Sequence, residues 1–128
     1  MKKLFLLSAI AGVIFFSCGN PVSDNIRAFI PGTYIKEIND EFTKGMDTLF
    51  ISVLDDQAGS YSVIRQTSYR QSIDGKILSP RVETHKMTAI YNKETKQLNE
   101  QSQGKAFSFS PDKNLLSTGG SEYTKIGK

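Results

Sequence analysis

Residues 60–91 read SYSVIRQTSYRQSIDGKILSPRVETHKMTAIY, two runs of β-forming residues on either side of Asp74-Gly75. A two-residue type I′ loop needs a positive φ at both positions, which Asp tolerates and Gly adopts at no steric cost. We therefore predict a hairpin in which Lys76–Tyr91 returns against Ser60–Ile73. Pro80 lacks an amide N–H, so it is expected at a bulge or at a solvent-facing edge position. One face of the first strand carries Tyr61, Val63, Thr67, Tyr69 and Ile73.

Shorter runs with a period of two lie on both sides of this hairpin. They are Thr33–Ile38, Thr48–Leu54, Gln97–Gln103, Lys105–Ser110, Leu115-Leu116 and Glu122–Ile126. Turn-forming or polar connections separate them, and no segment is long enough for a helical crossover between parallel strands. The chain is thus predicted to be all-β, an antiparallel up-and-down meander of about eight strands. Closure into a barrel, complete or partly open, would remove its edges, and a short helix between Ser23 and Ile30 would precede it.

Two details of this prediction concern the strand Thr48–Leu54 and the segment before it. Leu49, Ile51 and Val53 alternate with Phe50 and Leu54, which predicts cover on both faces of the sheet. Asp40–Asp47 is polar and contains a glycine, so it is predicted to be a connection rather than a strand.

Residues 1–18 read MKKLFLLSAIAGVIFFSC and have the pattern of an export signal. Lys2 and Lys3 precede an apolar run, Leu4–Phe16, that fits the h-region of a signal peptide. The run is shorter than the roughly 20 residues that a membrane-spanning helix needs. Cys18 follows, and it is the only cysteine of the chain, so it cannot form an intramolecular disulfide.

The Ser17-Cys18 junction resembles the lipobox of bacterial lipoproteins, with Phe15 and Phe16 where Leu and a small residue are commoner. The resemblance implies acylation of the Cys18 thiol and cleavage before it, and two or three acyl chains anchor a protein stably. We therefore expect a lipoprotein signal peptide over 1–17, a lipidated tether over 18–25 and a single β-meander domain over 26–128. The alternative is an ordinary signal peptide with an unmodified cysteine.

The residues after Cys18 bear on the final location. Gly19 resembles an outer-membrane sorting signal, because Asp at that position retains enterobacterial lipoproteins in the inner membrane. Only one acidic residue, Asp24, precedes the first apolar segment, whereas surface-exported lipoproteins of the Bacteroidota carry an acidic cluster there. These features favour the outer membrane and its periplasmic face over the cell surface.

The charge of the mature chain argues against nucleic acid as a partner. Cleavage removes Lys2 and Lys3 and leaves 14 basic against 13 acidic residues, close to neutrality. Basic and acidic residues alternate along the chain, whereas a phosphate-binding surface needs clustered positive charge.

Several short motifs of the mature chain resemble those of known families. Gly32-Thr33-Tyr34, after a short helix, resembles the Gly-x-Trp at the start of lipocalins. The segments Phe29–Tyr34, Asp47–Leu49, Asp74–Lys76 and Tyr123–Lys125 resemble small, mostly uncharacterised lipoproteins of the Bacteroidota. Some of these accompany conjugative-transposon genes, so this resemblance implies an envelope location and a link to conjugation machinery.

The residues that could support catalysis or metal binding are few. His85 is the only histidine, no Gly-x-Ser-x-Gly motif occurs, and Cys18 is assigned to the anchor. One histidine without a free cysteine does not make a zinc site, and the acidic pairs Asp55-Asp56 and Asp40-Glu41 do not resemble a calcium-binding loop. We predict no catalytic residues, no metal ligands and no cofactor, with Cys18 as the lipidation site and any ligand-binding residues unknown.

The leading functional hypothesis is a non-enzymatic, membrane-anchored lipoprotein that binds or scaffolds another envelope component. The first alternative is a lipocalin-like carrier of a small apolar ligand, and the second is an enzyme of unknown type. A cavity lined by Leu49, Ile51, Tyr61 and Phe107 would favour the carrier, and a filled interior with an exposed apolar patch would favour the scaffold. Tyr and Arg are frequent in binding hot spots, and the central hairpin contains Tyr61, Arg65, Tyr69, Arg70 and Arg81.

Overall fold

The computed structural model describes residues 24–127. Helix α1 spans Asn25–Phe29. Asn25, which was predicted to belong to the tether, is therefore the first residue of the helix. The strands are β1 Gly32–Asn39, β2 Thr43–Asp55, β3 Ser60–Ile73, β4 Lys76–Ile77, β5 Arg81–Asn92, β6 Gln97–Glu100, β7 Ala106–Ser110, β8 Leu115–Thr118 and β9 Ser121–Gly127. A 3₁₀ turn over Pro111–Lys113 joins β7 to β8. No helix in the described range is long and apolar enough to cross a membrane.

Eight of these strands close into an antiparallel, up-and-down barrel. Pairing runs in the order β1, β2, β3, β5, β6, β7, β8 and β9, and β9 pairs back with β1. The short β4 is additional and pairs with β3. The predicted all-β meander, its closure and the short preceding helix are therefore confirmed.

The central hairpin forms at the predicted turn. Asp74 and Gly75 have φ values of 51° and 78°, and Ile73 lies opposite Lys76. These are the two positive φ angles that a two-residue loop of this type requires.

The return strand is interrupted once, beside Pro80. Ser72 lies opposite Ile77, and Tyr69 lies opposite Arg81, so two residues of β3 face three residues on the returning chain. One extra residue on one strand is a β-bulge, which accommodates a residue that cannot donate to the ladder. Pro80 thus occupies one of the two environments predicted for it.

Two expectations about β2 are wrong. Asp40–Asp47 is not a connection, because β2 already starts at Thr43 and the Asp40 carboxylate closes a tight turn by accepting from the Phe42 and Thr43 N–H groups at 3.0 and 2.7 Å. β2 is also not covered on both faces. Leu49 and Ile51 are buried, whereas Phe50 and Leu54 on the opposite face are 39% and 58% exposed. The strand is one wall of a barrel, and its outer face meets solvent.

The barrel interior is filled by side chains from every barrel strand. The buried apolar and aromatic residues are Ile30, Tyr34, Leu49, Ile51, Tyr61, Val63, Ala89, Tyr91, Leu98, Phe107, Phe109, Leu116 and Tyr123. Such dense filling by large side chains is expected of a barrel of eight strands.

Helix α1 closes one end of the barrel, which we call the helix end. Asp24 caps the helix by accepting from the Ile26 and Arg27 N–H groups, each at 3.1 Å. Behind it, the rings of Phe29, Tyr34 and Phe109 pack against one another with centroids 5.9–6.2 Å apart. Among residues 24–127, no helix covers the opposite end of the barrel.

Candidate functional site

At the end opposite the helix, part of the sheet continues beyond the closed barrel. Pairing of β1 with β9 reaches only to Ile35, and pairing of β5 with β6 starts only at Ala89. Beyond these points β1, β2, β3 and β5 remain paired with one another and carry β4 at the tip. We call this part, residues 36–47 and 67–88, the extension.

A buried carboxylate lies where the extension leaves the barrel. Asp47 on β2 is 2% exposed and accepts hydrogen bonds from three side chains. Arg65 donates from Nε and Nη2, the latter at 2.7 Å, Tyr123 donates its hydroxyl at 2.8 Å, and Thr67 donates at 3.2 Å. These residues come from β2, β3 and β9, so the group links β9 to β2 and β3 across the intervening β1.

The donors decide the ionisation of this cluster. Burial by itself raises the pKa of the Asp47 carboxyl, but the hydrogen bonds from Arg65, Tyr123 and Thr67 outweigh burial and hold the pKa below its usual range. The pKa of Tyr123 is raised, first by burial and then by its bond to the Asp47 carboxylate. The cluster is therefore an ionised Asp47 paired with a charged Arg65 and a neutral tyrosine at neutral pH.

Above the cluster is a cavity of about 320 Å³, which we call the open-end cavity. It is lined by Leu49, Arg65, Met87, Lys105, Ala106, Phe107, Thr118, Gly119, Ser121 and Tyr123. Leu49, Met87 and Phe107 contribute apolar side chains to it, and the other lining residues include the cationic Arg65 and Lys105 and several hydroxyl groups. Of the four residues whose presence around a cavity would favour a carrier, Leu49 and Phe107 line this one, whereas Ile51 and Tyr61 lie in the filled core.

A second cavity of about 320 Å³ adjoins it on the side of β5, and we call it the edge cavity. Its lining residues are Arg65, His85, Lys86, Met87, Ser102, Gln103 and Lys105. Three of these are cationic and none carries a carboxylate. Arg65 and Lys105 line both cavities, so the two cavities share these two cationic side chains.

The tip of the extension exposes large apolar side chains. Phe42 and Ile77 are 62% and 72% exposed, and Ile73 on the same hairpin is also exposed. Phe42 and Ile77 line a cavity of about 260 Å³, the tip cavity, together with Glu41, Lys44, Arg70, Gln71 and Ser72. A concave surface with exposed apolar side chains is typical of interaction sites on soluble domains.

The five Tyr and Arg residues of the central hairpin lie in different environments. Tyr61 is buried in the core, and Arg65 is bound to Asp47. Arg70 lines the tip cavity, Arg81 is exposed at the start of β5, and Tyr69 is half-buried between them. The hairpin thus contributes to every cavity of this end without gathering these five residues into one site.

The residues weighed for catalysis and metal binding lie apart from one another. His85 is exposed on β5 and, among the described residues, its side chain makes no hydrogen bond to a serine or a carboxylate. Asp40 and Asp55 cap turns, and Asp56 pairs with Arg27 at the helix end. No group of three or more His, Cys, Asp or Glu side chains within residues 24–127 is arranged to hold a metal ion.

The grouping of Asp47 with Arg65, Thr67 and Tyr123 was not predicted from the sequence. Asp47 was assigned to a polar connection, although it is in phase with Leu49 and Ile51, the inward-facing residues of the same strand. An acidic residue in phase with buried apolar positions indicates a paired, buried carboxylate. Cys18, the predicted lipidation site, lies outside the described residues.

Comparisons with models of known protein families, with curated proteins and with solved structures found no match for this chain.

Proposed function

We propose that the protein is a non-enzymatic lipoprotein, anchored through Cys18 to the periplasmic face of the outer membrane, that binds another envelope protein through the extension. The observation that supports this function is the contrast between the two parts of the fold. The barrel interior is filled, whereas the extension exposes Phe42 and Ile77 around the tip cavity. Exposed apolar side chains around a concave surface favour a protein partner.

The position of the proposed anchor agrees with this function. Asp24 is held at the helix end by the Tyr91 hydroxyl at 2.6 Å and lies 3.6 Å from the Lys96 ammonium. Asp24 follows Cys18 by six positions in the sequence, a stretch that spans at most about 20 Å. An acylated Cys18 therefore keeps the helix end near the bilayer, and the extension, at the other end of the barrel, is directed away from it. The resemblance to small lipoproteins of the Bacteroidota makes a component of conjugation machinery a candidate partner.

A second candidate function is the carriage of a small ligand, and the open-end cavity favours it. Its volume of about 320 Å³ is at the lower end of the range of ligand pockets, and Leu49, Met87 and Phe107 supply apolar contacts. Arg65 and Lys105 at the rim would suit a ligand with an anionic group. Titration of the domain with a medium-chain fatty acid tests this candidate, which predicts saturable binding that Leu49→Trp abolishes.

The proposed protein partner is tested by site-specific photo-crosslinking in the cells that produce the protein. The full-length chain carries the photoreactive residue at position 42 or 77, and at position 54 as the control. Leu54 is 58% exposed, like the two test positions, but lies at the helix end of β2. We expect one discrete heterologous adduct from positions 42 and 77, competed by excess soluble domain, and none from position 54. Absence of a discrete adduct at 42 and 77, or the same adduct at all three positions, would contradict the proposed function.

A further inference from the structure

One side of β5 is an unpaired sheet edge over most of the length of the extension. The pairing of β5 with β3 is regular from Arg81 to Ile90, whereas pairing with β6 covers only Ala89–Asn92. The Tyr91 N–H donates to Gly59 on the β3 side, and the Thr88 carbonyl accepts from Gln101 on the opposite side. In a regular antiparallel strand the N–H and C=O of one residue point to the same side, and the side alternates along the chain.

The residues that present their backbone to this edge follow from that alternation. They are Val82, Thr84 and Lys86, each with one N–H and one C=O directed away from β3. All three are exposed, and no other described residue bonds to these groups. Pro80 and the bulge end the edge on one side, and the Thr88–Gln101 bond ends it on the other. The edge therefore offers room for a short extended segment.

A folded loop keeps the edge open. After β6 the chain turns away over residues 101–105, because the Glu100 carboxylate accepts from the Ser102 and Gln103 N–H groups, each at 2.7 Å. Glu100 is itself 3% exposed, so this turn is anchored in the barrel. The loop stands opposite β5, and the edge cavity lies between them.

The charge of the edge cavity identifies the chemistry of a segment bound there. Arg65, Lys86 and Lys105 line it, and no carboxylate does. Arg65 binds Asp47 through Nε and Nη2, and Nη1 makes no hydrogen bond to another described residue. A carboxylate that enters the cavity would lie beside the Arg65 guanidinium and the Lys105 side chain.

We propose that an extended segment of the partner protein adds as a strand to the free edge of β5, along Val82, Thr84 and Lys86, and places an acidic side chain in the edge cavity. This inference depends on the proposed function, because it assigns the mode by which the envelope partner is held. Strand addition derives affinity from main-chain hydrogen bonds and specificity from pockets beside the edge. The apolar tip and the edge then belong to one continuous docking surface on the extension.

The test uses the full-length chain in membranes, with the photoreactive residue at position 77 as a reporter of docking. Thr84→Pro removes one outward N–H and leaves the ladder to β3 intact, and Thr84→Ala keeps that N–H and is the matched control. We expect Thr84→Pro to lower the yield of the adduct about tenfold, the effect of one lost hydrogen bond with local displacement of the segment. Lys105→Glu should lower it as well, whereas Lys113→Glu, in the turn at the helix end, should leave it unchanged.

The outcomes separate the two proposals. An adduct from position 77 that persists at the wild-type yield in both Thr84→Pro and Lys105→Glu would overturn the strand-addition inference and leave the proposed function standing. Absence of the adduct in the otherwise unaltered protein would overturn both. A crosslink from position 82 with the mass of two copies of this chain would assign the edge to self-association and would also overturn the inference. A crosslink from position 82 to an extended partner segment, within two residues of an Asp or Glu, would support it.

Discussion

Replacement of Asp47 by asparagine removes the charge of the buried carboxylate and keeps its shape. In the wild-type protein, Arg65, Tyr123 and Thr67 all donate to the two carboxylate oxygens. An asparagine oxygen can still accept from Tyr123. Its NH₂ group, however, would replace an oxygen that faces the Arg65 guanidinium, so that two donors would meet. The variant therefore loses the charge-assisted bonds and leaves a cation without its partner.

The expected loss of stability follows from the burial of the two partners. Breaking a fully buried ion pair costs about 3–5 kcal/mol. The Arg65 side chain is 36% exposed and can turn toward water, so part of this cost is avoided. We expect Asp47→Asn to lower the free energy of unfolding by about 2–3 kcal/mol, or Tm by roughly 10–20 °C for a domain of this size.

Urea and thermal unfolding of the domain without residues 1–18, followed by circular dichroism, measure this loss. Asp112→Asn, at an exposed position in the 3₁₀ turn, is the control for removal of a charge. Because the pKa of Asp47 is lowered in the folded state, its contribution is complete above the unfolded pKa of about 3.9 and disappears as the pH falls through the lower folded value. The difference between wild type and Asp47→Asn should therefore be largest at neutral pH and shrink in acid. A neutral-pH loss within about 0.5 kcal/mol of that of Asp112→Asn would refute the assignment of a stabilising buried pair.

Four further outcomes test the fold and the proposed anchor. Gly75→Val should destabilise the domain by more than about 1 kcal/mol in thermal melts, because its φ of 78° disfavours a β-branched side chain; a wild-type melt would contradict the tight turn. Gly45→Ala should cost more than about 2 kcal/mol in urea melts, since its Cβ would lie 2.1 Å from the Ser68 carbonyl oxygen, and an unchanged midpoint would contradict that contact. Cys18→Ser should abolish labelling by a palmitate analogue, and equal label on mutant and wild type would contradict lipidation. His85→Ala should keep the cellular phenotype of the wild type, and complete loss of that phenotype in a folded variant that still forms the adduct from position 77 would indicate an enzyme.

The strand pattern and the central turn could be predicted from sequence because local signals determine them. Asp74-Gly75 specifies a loop with two positive φ angles, and the alternation on either side of it sets the register. The same period-two reasoning failed at Thr43–Asp47, because Gly45 and Asp47 have the composition of a loop. A glycine is needed at position 45 because the backbone of β3 approaches too closely for any side chain. This contact is between strands, so no local sequence pattern indicates it.

The candidate site was less predictable because it depends on strand lengths. The sequence shows that β5 is long and that β6 is short, but not that β6 leaves β5 at Ala89 and exposes an edge. The partner of a buried charge is equally hidden, since Asp47 and Tyr123 are 76 residues apart in sequence. The pairing of an inward acid with an inward arginine one strand away can be inferred only when the register of β2 against β3 is known.

The Asp47 cluster explains how part of the sheet can continue beyond the barrel without closing over itself. A strand whose inner face stayed apolar past Leu49 would need cover, and the wall would collapse onto the open end. Instead many inward positions are polar from Asp47 onward, including Thr67, Glu83 and Arg81, although Ile38 and Tyr69 also lie on this face. The extension can therefore meet water on both faces, and its most exposed apolar side chains, Phe42 and Ile77, lie at the tip. A partner that binds there meets a preformed surface, so little of its binding energy is spent on ordering this chain.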